Sequence, residues 1–189
     1  MLDPSFFARD PRVVARELLG VRLALRAPDG SLRSGVIVET EAYLGEEDLA
    51  SHARAGLTTR TAPMFGPPGR AYVYLCYGVH EMFNVTTLPE GEPSAVLIRA
   101  LDPGPGVTRA THGPGRLTKA LGITRAHNSL SLQGPLLTLH RAHVVDAHDV
   151  GNSPRIGVEF AGEWADRPWR FFDSRSTHLS QRTPRRSQG

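Results

Sequence analysis

Two carboxylates lie two residues apart on a segment that has the pattern of a buried strand. Glu39 and Glu41 follow the apolar residues 36–38 and precede Tyr43. Side chains two apart on a strand share a face and lie about 7 Å apart, so both acids are predicted to share one face with Ile37 and Tyr43. Like charges at that distance repel each other and resist burial, which favours a carboxylate that takes a proton from water. The alternative is an exposed strand edge on which both acids are only solvated.

A second apolar segment, residues 94–101, carries one charged side chain, Arg99. A buried guanidinium needs an acidic partner, because an unpaired charge is costly to remove from water. We therefore predict that Arg99 pairs with Glu41 or Glu39 inside the protein.

Three of the four tyrosines fall within residues 71–78. Alternation along a strand puts Tyr72 and Tyr74 on one face, and Tyr77 precedes a glycine at a bend. This arrangement provides flat, amphipathic surface, although ordinary packing between strands would also use tyrosine. Asn84, on the next apolar segment, is interpreted either as a buried amide with satisfied hydrogen bonds or as a group that contacts a ligand.

The sequence Gly113-Pro-Gly-Arg116 precedes the apolar, periodic residues 117–121 and a closing glycine. This is the pattern of a helix start, where free backbone N–H groups bind anions and Arg116 adds a positive charge. The Gly-Lys-Ser/Thr spacing of a Walker A loop is absent from this segment, so a phosphate loop of that kind is not predicted.

Five residues of types that bind metals lie close together in the sequence: His140, His143, Asp146, His148 and Asp149. Residues 136–139 lead into a strand, on which His140 and His143 would point to opposite faces. The spacing of a helical HExxH motif is absent as well. We therefore predict no metal site, and no cofactor is expected.

Both helices and strands are predicted to position these residues. Asp10 and Pro11 have the pattern of a helix start before residues 13–19. Residues 21–26 alternate before a turn, after which the acid-bearing segment returns as the antiparallel partner. The remaining strand predictions are residues 71–78 with a bend at the final glycine, 83–87, 94–101 and 155–158. Together these elements predict a mixed α/β fold of the α+β type.

Composition limits the class of protein. A length of 189 residues predicts one domain, which we assign to residues 1–175, with a disordered basic tail over 176–189. Lys119 is the single lysine among 22 basic residues, and the arginines suit phosphate contacts unless they reflect a genome-wide bias. One cysteine, Cys76, excludes internal disulfides and fits a reducing compartment. The chain shows neither a signal peptide nor a membrane span, so a cytoplasmic protein is expected.

Ordered motifs along the chain resemble those of the alkyladenine (3-methyladenine) DNA glycosylase family, in its bacterial type. They are Val38-Glu-Thr-Glu41-Ala-Tyr43-Leu-Gly45, His52-Ala-Arg54, Met64-Phe-Gly66, Gly69-x-x-Tyr72-Val-Tyr74, Tyr77-Gly78, Asn84, Leu97-Ile-Arg99-Ala-Leu101, Gly113-Pro-x-x-Leu117-x-x-Ala-Leu121, Arg155-Ile-Gly-Val158, Gly162-Glu-x-Ala165 and Pro168-Trp-Arg-Phe-Phe172. Agreement over so many blocks in one order is specific, whereas any single block is weak. The resemblance implies a monomer with one mixed α/β domain, a curved antiparallel β-sheet and no metal.

The resemblance also implies an activity, the excision of damaged purines from double-stranded DNA. The expected substrates are 3-methyladenine, 7-methylguanine, hypoxanthine and ethenoadenine, each flipped from the duplex before its N-glycosidic bond is hydrolysed. Glu41 matches the catalytic base of the family, and Arg99 matches the arginine that shares the attacking water. The positions that match the base pocket are Tyr43, His52, Tyr74, Asn84 and Leu97. Tyr77 matches the side chain that enters the minor groove, and the positions that match phosphate contacts are Arg54, Arg60 and Arg116.

An aromatic box of Tyr43, His52 and Tyr74 would favour cationic alkylated purines by about 0.5–2 kcal/mol through cation–π contacts. Neutral lesions such as hypoxanthine are therefore expected to leave more slowly. The chain also departs from the family pattern, since Val79 and His80 replace bulkier groove-facing side chains.

Two other classes of function stay open from the sequence. A non-catalytic binding module for damaged nucleic acid would use the same aromatic and basic surface, without an acid beside an arginine. A free-nucleoside hydrolase would use the acid, without a groove-entering Tyr77 or phosphate-contacting arginines.

Overall fold

One long strand, β2, organises the fold. The structure, a computed structural model, describes residues 1–181. Strand β2 (Leu32–Leu44) pairs with β1 (Val21–Arg26) along its first part and with β5 (Ser94–Pro103) along most of its length. Strand β1 pairs with residues 32–36 of β2, and strand β8 (Arg170–Asp173) pairs with residues 39–41, which include the two acids. The acid-bearing segment therefore lies in the centre of the sheet, which excludes the exposed-edge interpretation.

The remaining elements of the described residues flank this strand. They are α1 (Pro4–Phe7), α2 (Pro11–Glu17), α3 (Ala62–Phe65), β3 (Ala71–Cys76), β4 (His80–Thr87), α4 (Pro114–Leu121), β6 (Leu137–Arg141) and β7 (Val150–Ser153). Short 3-10 helices cover His52–Ala55, Arg125–His127 and Glu159–Trp164. The strand order is β3-β4-β5-β2-β1-β6, with β7 and β8 joined to β2 through β8, and the pairs are antiparallel. This architecture confirms the predicted α+β class.

Sequence patterns predicted where helices and strands lie, and two of these predictions differ from the structure. The carboxylate of Asp10 accepts the backbone N–H of Arg12 at 2.8 Å and caps α2, as predicted, but the helix ends at Glu17 rather than at residue 19. The strand predicted over residues 155–158 was wrong, because that segment is a loop between β7 and β8. Gly157 has a φ of +76°, a left-handed conformation that interrupts an extended strand.

The main hydrophobic core lies on one face of the sheet. Its largest members include Phe7, Leu18, Ile37, Phe83, Ile98 and Leu117. Thr40 faces the same way, since its hydroxyl donates to the carbonyl of Ala15 in α2 at 2.9 Å. The helices α2 and α4 cover this face, which leaves the opposite face of β2–β5 available for a site.

Two irregularities in the sheet turn charged side chains toward that opposite face. The register between β2 and β5 skips Val38 on β2 and Arg99 on β5. Strict alternation predicted that Ile37 shares the face of Glu39, but Ile37 lies in the main core. That prediction was wrong because a β-bulge adds one residue to the strand and shifts the alternation beyond it.

The predicted tail over 176–189 begins with residues that contact the sheet. The backbone N–H and the hydroxyl of Ser180 both donate to the carboxylate of Glu39. Residues 182–189 lie outside the described residues. Within residues 1–181, the helices are too short or too polar to span a lipid bilayer.

Candidate active site

A row of cross-strand neighbours runs along one face of the sheet, and its members Tyr72, Asn84 and Leu97 line a cavity. Tyr72 on β3 lies opposite Asn84 on β4, and Asn84 lies opposite Leu97 on β5. Leu97 lies opposite Glu41 on β2, which in turn lies opposite Arg170 on β8. Directly opposed residues in antiparallel strands share a face, so five strands each contribute one side chain to this row.

The cavity has a volume of about 450 Å³, which is within the range of small-molecule sites. His52, Tyr72 and Tyr74 form an aromatic wall, with ring centroids 4.5 Å apart for His52 and Tyr74 and 5.4 Å apart for the two tyrosines. Tyr43 and Arg99 line the same cavity. Flat apolar walls with a few polar groups suit one planar, aromatic ligand.

His52 is uncharged at neutral pH. Its Nδ1 lies 3.0 Å from the hydroxyl of Tyr72. Burial, and then the positive charge of Arg60, lower the pKa of His52 to about 4. The neutral ring has one nitrogen that donates and one that accepts a hydrogen bond.

Glu41 is held through both of its carboxylate oxygens. Its Oε1 accepts the backbone N–H of Ile156 at 2.8 Å, and its Oε2 accepts the Tyr43 hydroxyl at 2.8 Å. The Nη1 of Arg99 donates to the same Oε2 at 3.1 Å. Burial and the charge of Glu41 raise the pKa of Tyr43 well above its usual range, so the phenol stays protonated and donates. The carboxylate has no exposed surface and lies directly behind the cavity wall.

Glu41 is one end of a buried chain of alternating charges. The Nε of Arg99 lies 3.2 Å from Glu39 Oε1, and the Nε of Arg170 lies 2.6 Å from the same oxygen. Two carboxylates and two guanidiniums compensate each other, which allows four charges to be buried together. Although burial opposes its charge, the carboxylates of Glu41 and Glu39 raise the pKa of Arg99. The prediction that Arg99 pairs with one of these acids is confirmed, and it pairs with both.

Tyr77 stands on the tip of the turn between β3 and β4, at the edge of the cavity, with 93% of its surface exposed. Tyr77 and Gly78 have φ values of +50° and +70°, the left-handed conformations that a two-residue type I′ turn requires. A tyrosine is uncommon in this conformation, and such strain concentrates at functional sites. Val79 beside it is also exposed.

The three arginines predicted to contact phosphates are all exposed. Arg60 lines the aromatic cavity, and its guanidinium carbon lies 5.3 Å from the ring centroid of Tyr74. Arg116 lies on α4 beside a second cavity of about 310 Å³. Arg54 donates to the carbonyl of Leu49 at 3.2 Å.

The candidate ligands predicted not to form a metal site lie apart from the cavity. Among the described residues, Asp146, His148 and Asp149 have ligand atoms within 4.8 Å of one another. The guanidinium Nε of Arg175 lies 3.2 Å from Asp149 Oδ2, so a positive charge already faces this cluster. None of the three lines either cavity.

Similar proteins align with most of this chain. A family model described as methylpurine-DNA glycosylase matches residues 5–177. A protein named "Putative 3-methyladenine DNA glycosylase" from Myxococcus xanthus (strain DK1622) is 52% identical over 185 residues, which cover 97% of this chain and 95% of the relative. The chain belongs to the methylpurine-DNA glycosylase family.

More distant members of the methylpurine-DNA glycosylase family align over nearly the same length. A relative of the same name from Anaeromyxobacter dehalogenans (strain 2CP-C) is 51% identical over 97% of this chain and 88% of its own. Another from Bacillus mycoides (strain KBAB4) is 42% identical over 94% of this chain and 98% of its own. The resemblance inferred from the ordered motifs is therefore confirmed.

The fold of this glycosylase-family chain brings most of the predicted site residues to one cavity. Lining it are Tyr43, His52, Tyr74, Asn84, Leu97 and Arg99. Tyr77 and Arg60 lie at the same cavity, and Glu41 lies directly behind it. Arg54 and Arg116 do not line it.

Sequence reasoning missed four contributors to the site of this family member. Tyr72 was recognised only as a strand residue, yet it contacts His52 and forms part of the wall. Arg170 and Ser180 contact Glu39. The rule that a buried arginine needs an acid, applied to Arg99, would also have identified Arg170. Ile156 contributes its backbone N–H, for which a side-chain pattern provides no signal.

Proposed function

We propose that this chain is a monofunctional DNA glycosylase that flips damaged purines out of duplex DNA and hydrolyses their N-glycosidic bonds. The observation that carries the proposal is the buried Glu41–Arg99 pair at the inner end of an aromatic cavity. Family membership supports a DNA substrate. The relatives' names include 3-methyladenine, and the same cavity chemistry extends to 7-methylguanine, hypoxanthine and ethenoadenine.

In this proposal Glu41 is the general base. It takes a proton from the water whose oxygen attacks C1′ of the flipped nucleotide, while the bond from C1′ to the purine nitrogen breaks and its electrons leave with the base. Arg99 holds the same water, since its guanidinium reaches both Glu41 and the cavity. The three donors on Glu41 support this role because they fix the direction of the carboxylate.

The purine is proposed to lie between Tyr43, His52 and Tyr74, over Leu97. The amide nitrogen of Asn84 donates to the backbone carbonyl of Tyr72 at 3.1 Å, which fixes Asn84 at the cavity floor. A fixed amide at this position crowds the 2-amino group of a normal guanine and leaves room for bases without it. Selection is then by shape as well as by stacking.

Outside the cavity, the proposal assigns the exposed residues to the duplex. Tyr77 enters the minor groove and fills the space that the extruded nucleotide leaves, which its 93% exposure on a tight turn supports. Arg54 and Arg116 contact phosphates, whereas Arg60 faces the cavity. The protein is proposed to act as a monomer.

Base release without strand cleavage follows from the positions of the amines. A glycosylase that also cuts the strand forms a Schiff base between an amine and the sugar. The single lysine, Lys119, is exposed on α4 and lines neither cavity. The N-terminus lies beside β6, where Leu2 donates to Leu139, at the sheet edge opposite β3. Borohydride is expected to trap no covalent enzyme–DNA adduct, and trapping at the level of turnover would contradict this part of the proposal.

The deciding experiment uses duplexes that carry hypoxanthine, 1,N6-ethenoadenine or 3-methyladenine, followed by alkaline cleavage of abasic sites. We expect cleavage at the lesion after incubation with the protein and none in undamaged duplex. Binding without abasic sites would favour a non-catalytic module. Faster hydrolysis of the free nucleosides than of the duplexes would favour a nucleoside hydrolase.

A further inference from the structure

The last described residues return to the acid-bearing strand. The backbone N–H of Ser180 donates to Glu39 Oε2 at 2.6 Å, and its hydroxyl donates to Glu39 Oε1 at 2.7 Å. The carbonyl of Gln181 accepts from Nη2 of Arg170 at 2.9 Å. The match to the family model ends at residue 177, so these contacts lie beyond it.

These contacts fix the direction of Arg99. Glu39 is fully buried, and its Oε1 also accepts Nε of Arg99 at 3.2 Å. The Nη1 on the same guanidinium donates to Glu41 at 3.1 Å. Because a guanidinium is planar and its donors form a rigid fork, holding Nε in place also sets where Nη1 points.

We propose that Glu39 and Ser180 are positioning residues for the hydrolytic step, an inference that rests on the proposed function. Ser180 holds the Glu39 carboxylate, Glu39 holds Nε of Arg99, and Arg99 is thereby aimed at Glu41 and the water. Neither positioning residue lines the aromatic cavity, so neither acts on the base itself.

The test compares Ser180→Ala with Ser180→Thr, which keeps the hydroxyl, and with Thr177→Ala, an exposed control in the same segment. Single-turnover base release is measured at saturating protein, together with Kd for a duplex that carries an uncleavable abasic analogue. We expect Ser180→Ala to slow release by about 10- to 150-fold, the scale of one lost hydrogen bond to a charged group. The expected Kd is unchanged, release is compared per folded molecule, and Ser180→Thr restores most of the rate.

Each other outcome overturns the inference. Release at the parent rate in Ser180→Ala would mean that the segment does not position the pair. A rate loss that Ser180→Thr does not restore, or one matched by an equal loss in affinity, would indicate a general structural role. Failure of the parent protein to release any base would instead refute the proposed function.

A separate observation concerns the charge of the base that the cavity accepts. Arg60 lies over the ring of Tyr74 and forms no ion pair among residues 1–181, so its positive charge is not neutralised there. Arg155 lies 4.7 Å from the ring centroid of Tyr43, but Asp48 neutralises it. Two rings of the aromatic box are therefore already in contact with a guanidinium.

A ring with a cation against it attracts a second cation less strongly, and the two cations also repel each other. The positive charge of Arg60 already helps to lower the pKa of His52, which shows that its field reaches the cavity wall. A cationic purine between these rings would be repelled by the charge of Arg60, whereas a neutral purine has no net charge to be repelled.

We infer that Arg60 sets the charge preference of the pocket, disfavouring cationic alkylated purines relative to neutral ones such as hypoxanthine. This inference also rests on the proposed function. It is the reverse of the expectation from Tyr43, His52 and Tyr74 alone, which was that cation–π contacts favour cationic purines.

The test is the ratio of single-turnover release from 7-methylguanine to that from hypoxanthine, at saturating protein. Arg60→Gln is expected to raise this ratio by about 2- to 30-fold, the range that one cation–π contact covers. Arg109→Gln is the matched control, because it removes an exposed arginine that lines neither cavity. Its ratio is expected to equal that of the parent.

A ratio that is unchanged or lower in Arg60→Gln would overturn the assignment. An equal rise in both variants would do so as well, since it would reflect the loss of any exposed positive charge. If the parent releases neither base, the proposed function fails before the ratio is defined.

Discussion

Two groups of buried charges meet at Tyr43 and differ in what they contact. On one side, Arg155 packs against the ring and forms a bidentate pair with Asp48, at 2.5 and 2.9 Å. On the other side, the Tyr43 hydroxyl donates to Glu41, which continues into the chain of charges through Arg99. Both groups are shielded from solvent, but Arg99 lines the cavity and neither Asp48 nor Arg155 does.

The difference shows that burial alone does not make a charge functional. Backbone N–H groups of Leu44 and Ala50 donate to Asp48, and Arg155 donates to the carbonyls of Ala42 and Trp164. This group joins loops to β2 and is expected to contribute stability. The chain that includes Glu41 and Arg99 faces a cavity, so it is expected to contribute to the reaction.

The largest expected effect is the loss of base release when Glu41, on the cavity side of Tyr43, is replaced. Glu41→Gln keeps the shape of the side chain but cannot take a proton from water, so base release should fall by about 10²–10⁴-fold. Duplex affinity should stay close to that of the parent, and release is compared per folded molecule because the substitution leaves part of the buried Arg99 charge unpaired. The exposed control Glu47→Gln should behave like the parent. Release near the parent rate would transfer the role of base to Glu39.

Substitution in the group formed by Asp48 and Arg155 should lower stability rather than the rate of base release. Asp48→Asn leaves the Arg155 charge buried without its acid, which should lower the free energy of unfolding by about 3–5 kcal/mol. Urea unfolding measures this loss, and single-turnover release per folded molecule should change by much less. A variant as stable as the parent but inactive would show that the two groups are not separable.

Tyr77, at the exposed edge of the cavity, should affect base release through extrusion of the nucleotide rather than through the chemical step. Unstacking and unpairing a nucleotide costs a few kcal/mol, and an inserted tyrosine offsets part of that cost. Tyr77→Ser should slow release of every lesion, most in stable pairs and least opposite a mismatch. Equal penalties in matched and mismatched duplexes would contradict the role in extrusion.

Asn84 should change selection rather than rate. Replacement by serine removes bulk at the cavity floor, so guanine-type bases should be released faster relative to hypoxanthine. The difference in activation free energy between the two substrates should shift by about 1–3 kcal/mol. Single-turnover rates on both substrates give this difference. Unchanged selectivity would leave Asn84 as a buried amide that only holds the backbone of Tyr72.

The last expected effect is on stability rather than on the reaction, and it is the pH dependence that His52 contributes. Its pKa of about 4 in the folded protein lies below the ordinary value of 6.5, so the folded state favours the neutral ring. The stability from this preference is fully present above about pH 6.5 and is lost as the pH falls toward 4. Urea unfolding at pH 7 and pH 4.5 should show a larger loss for the parent than for His52→Gln. Identical losses would mean that His52 does not titrate in this range.

Local patterns in the sequence determined the elements and the residue types of the site. Two-residue alternation placed Tyr72 and Tyr74 on one face, and the cost of burying charge paired Arg99 with the acids. Asp10 and Pro11 marked the start of α2 because a helix cap depends on neighbouring residues alone.

Only the tertiary structure decided how these parts meet. The row from Asn84 through Leu97 to Glu41 depends on the register between strands that are distant in the sequence. The bulges at Val38 and Arg99 sent Ile37 to the core and the acids to the cavity, against the local alternation. The donors from Ile156 and Ser180 reach the acids from loops more than one hundred residues away, and two of them are backbone N–H groups that every residue type but proline provides.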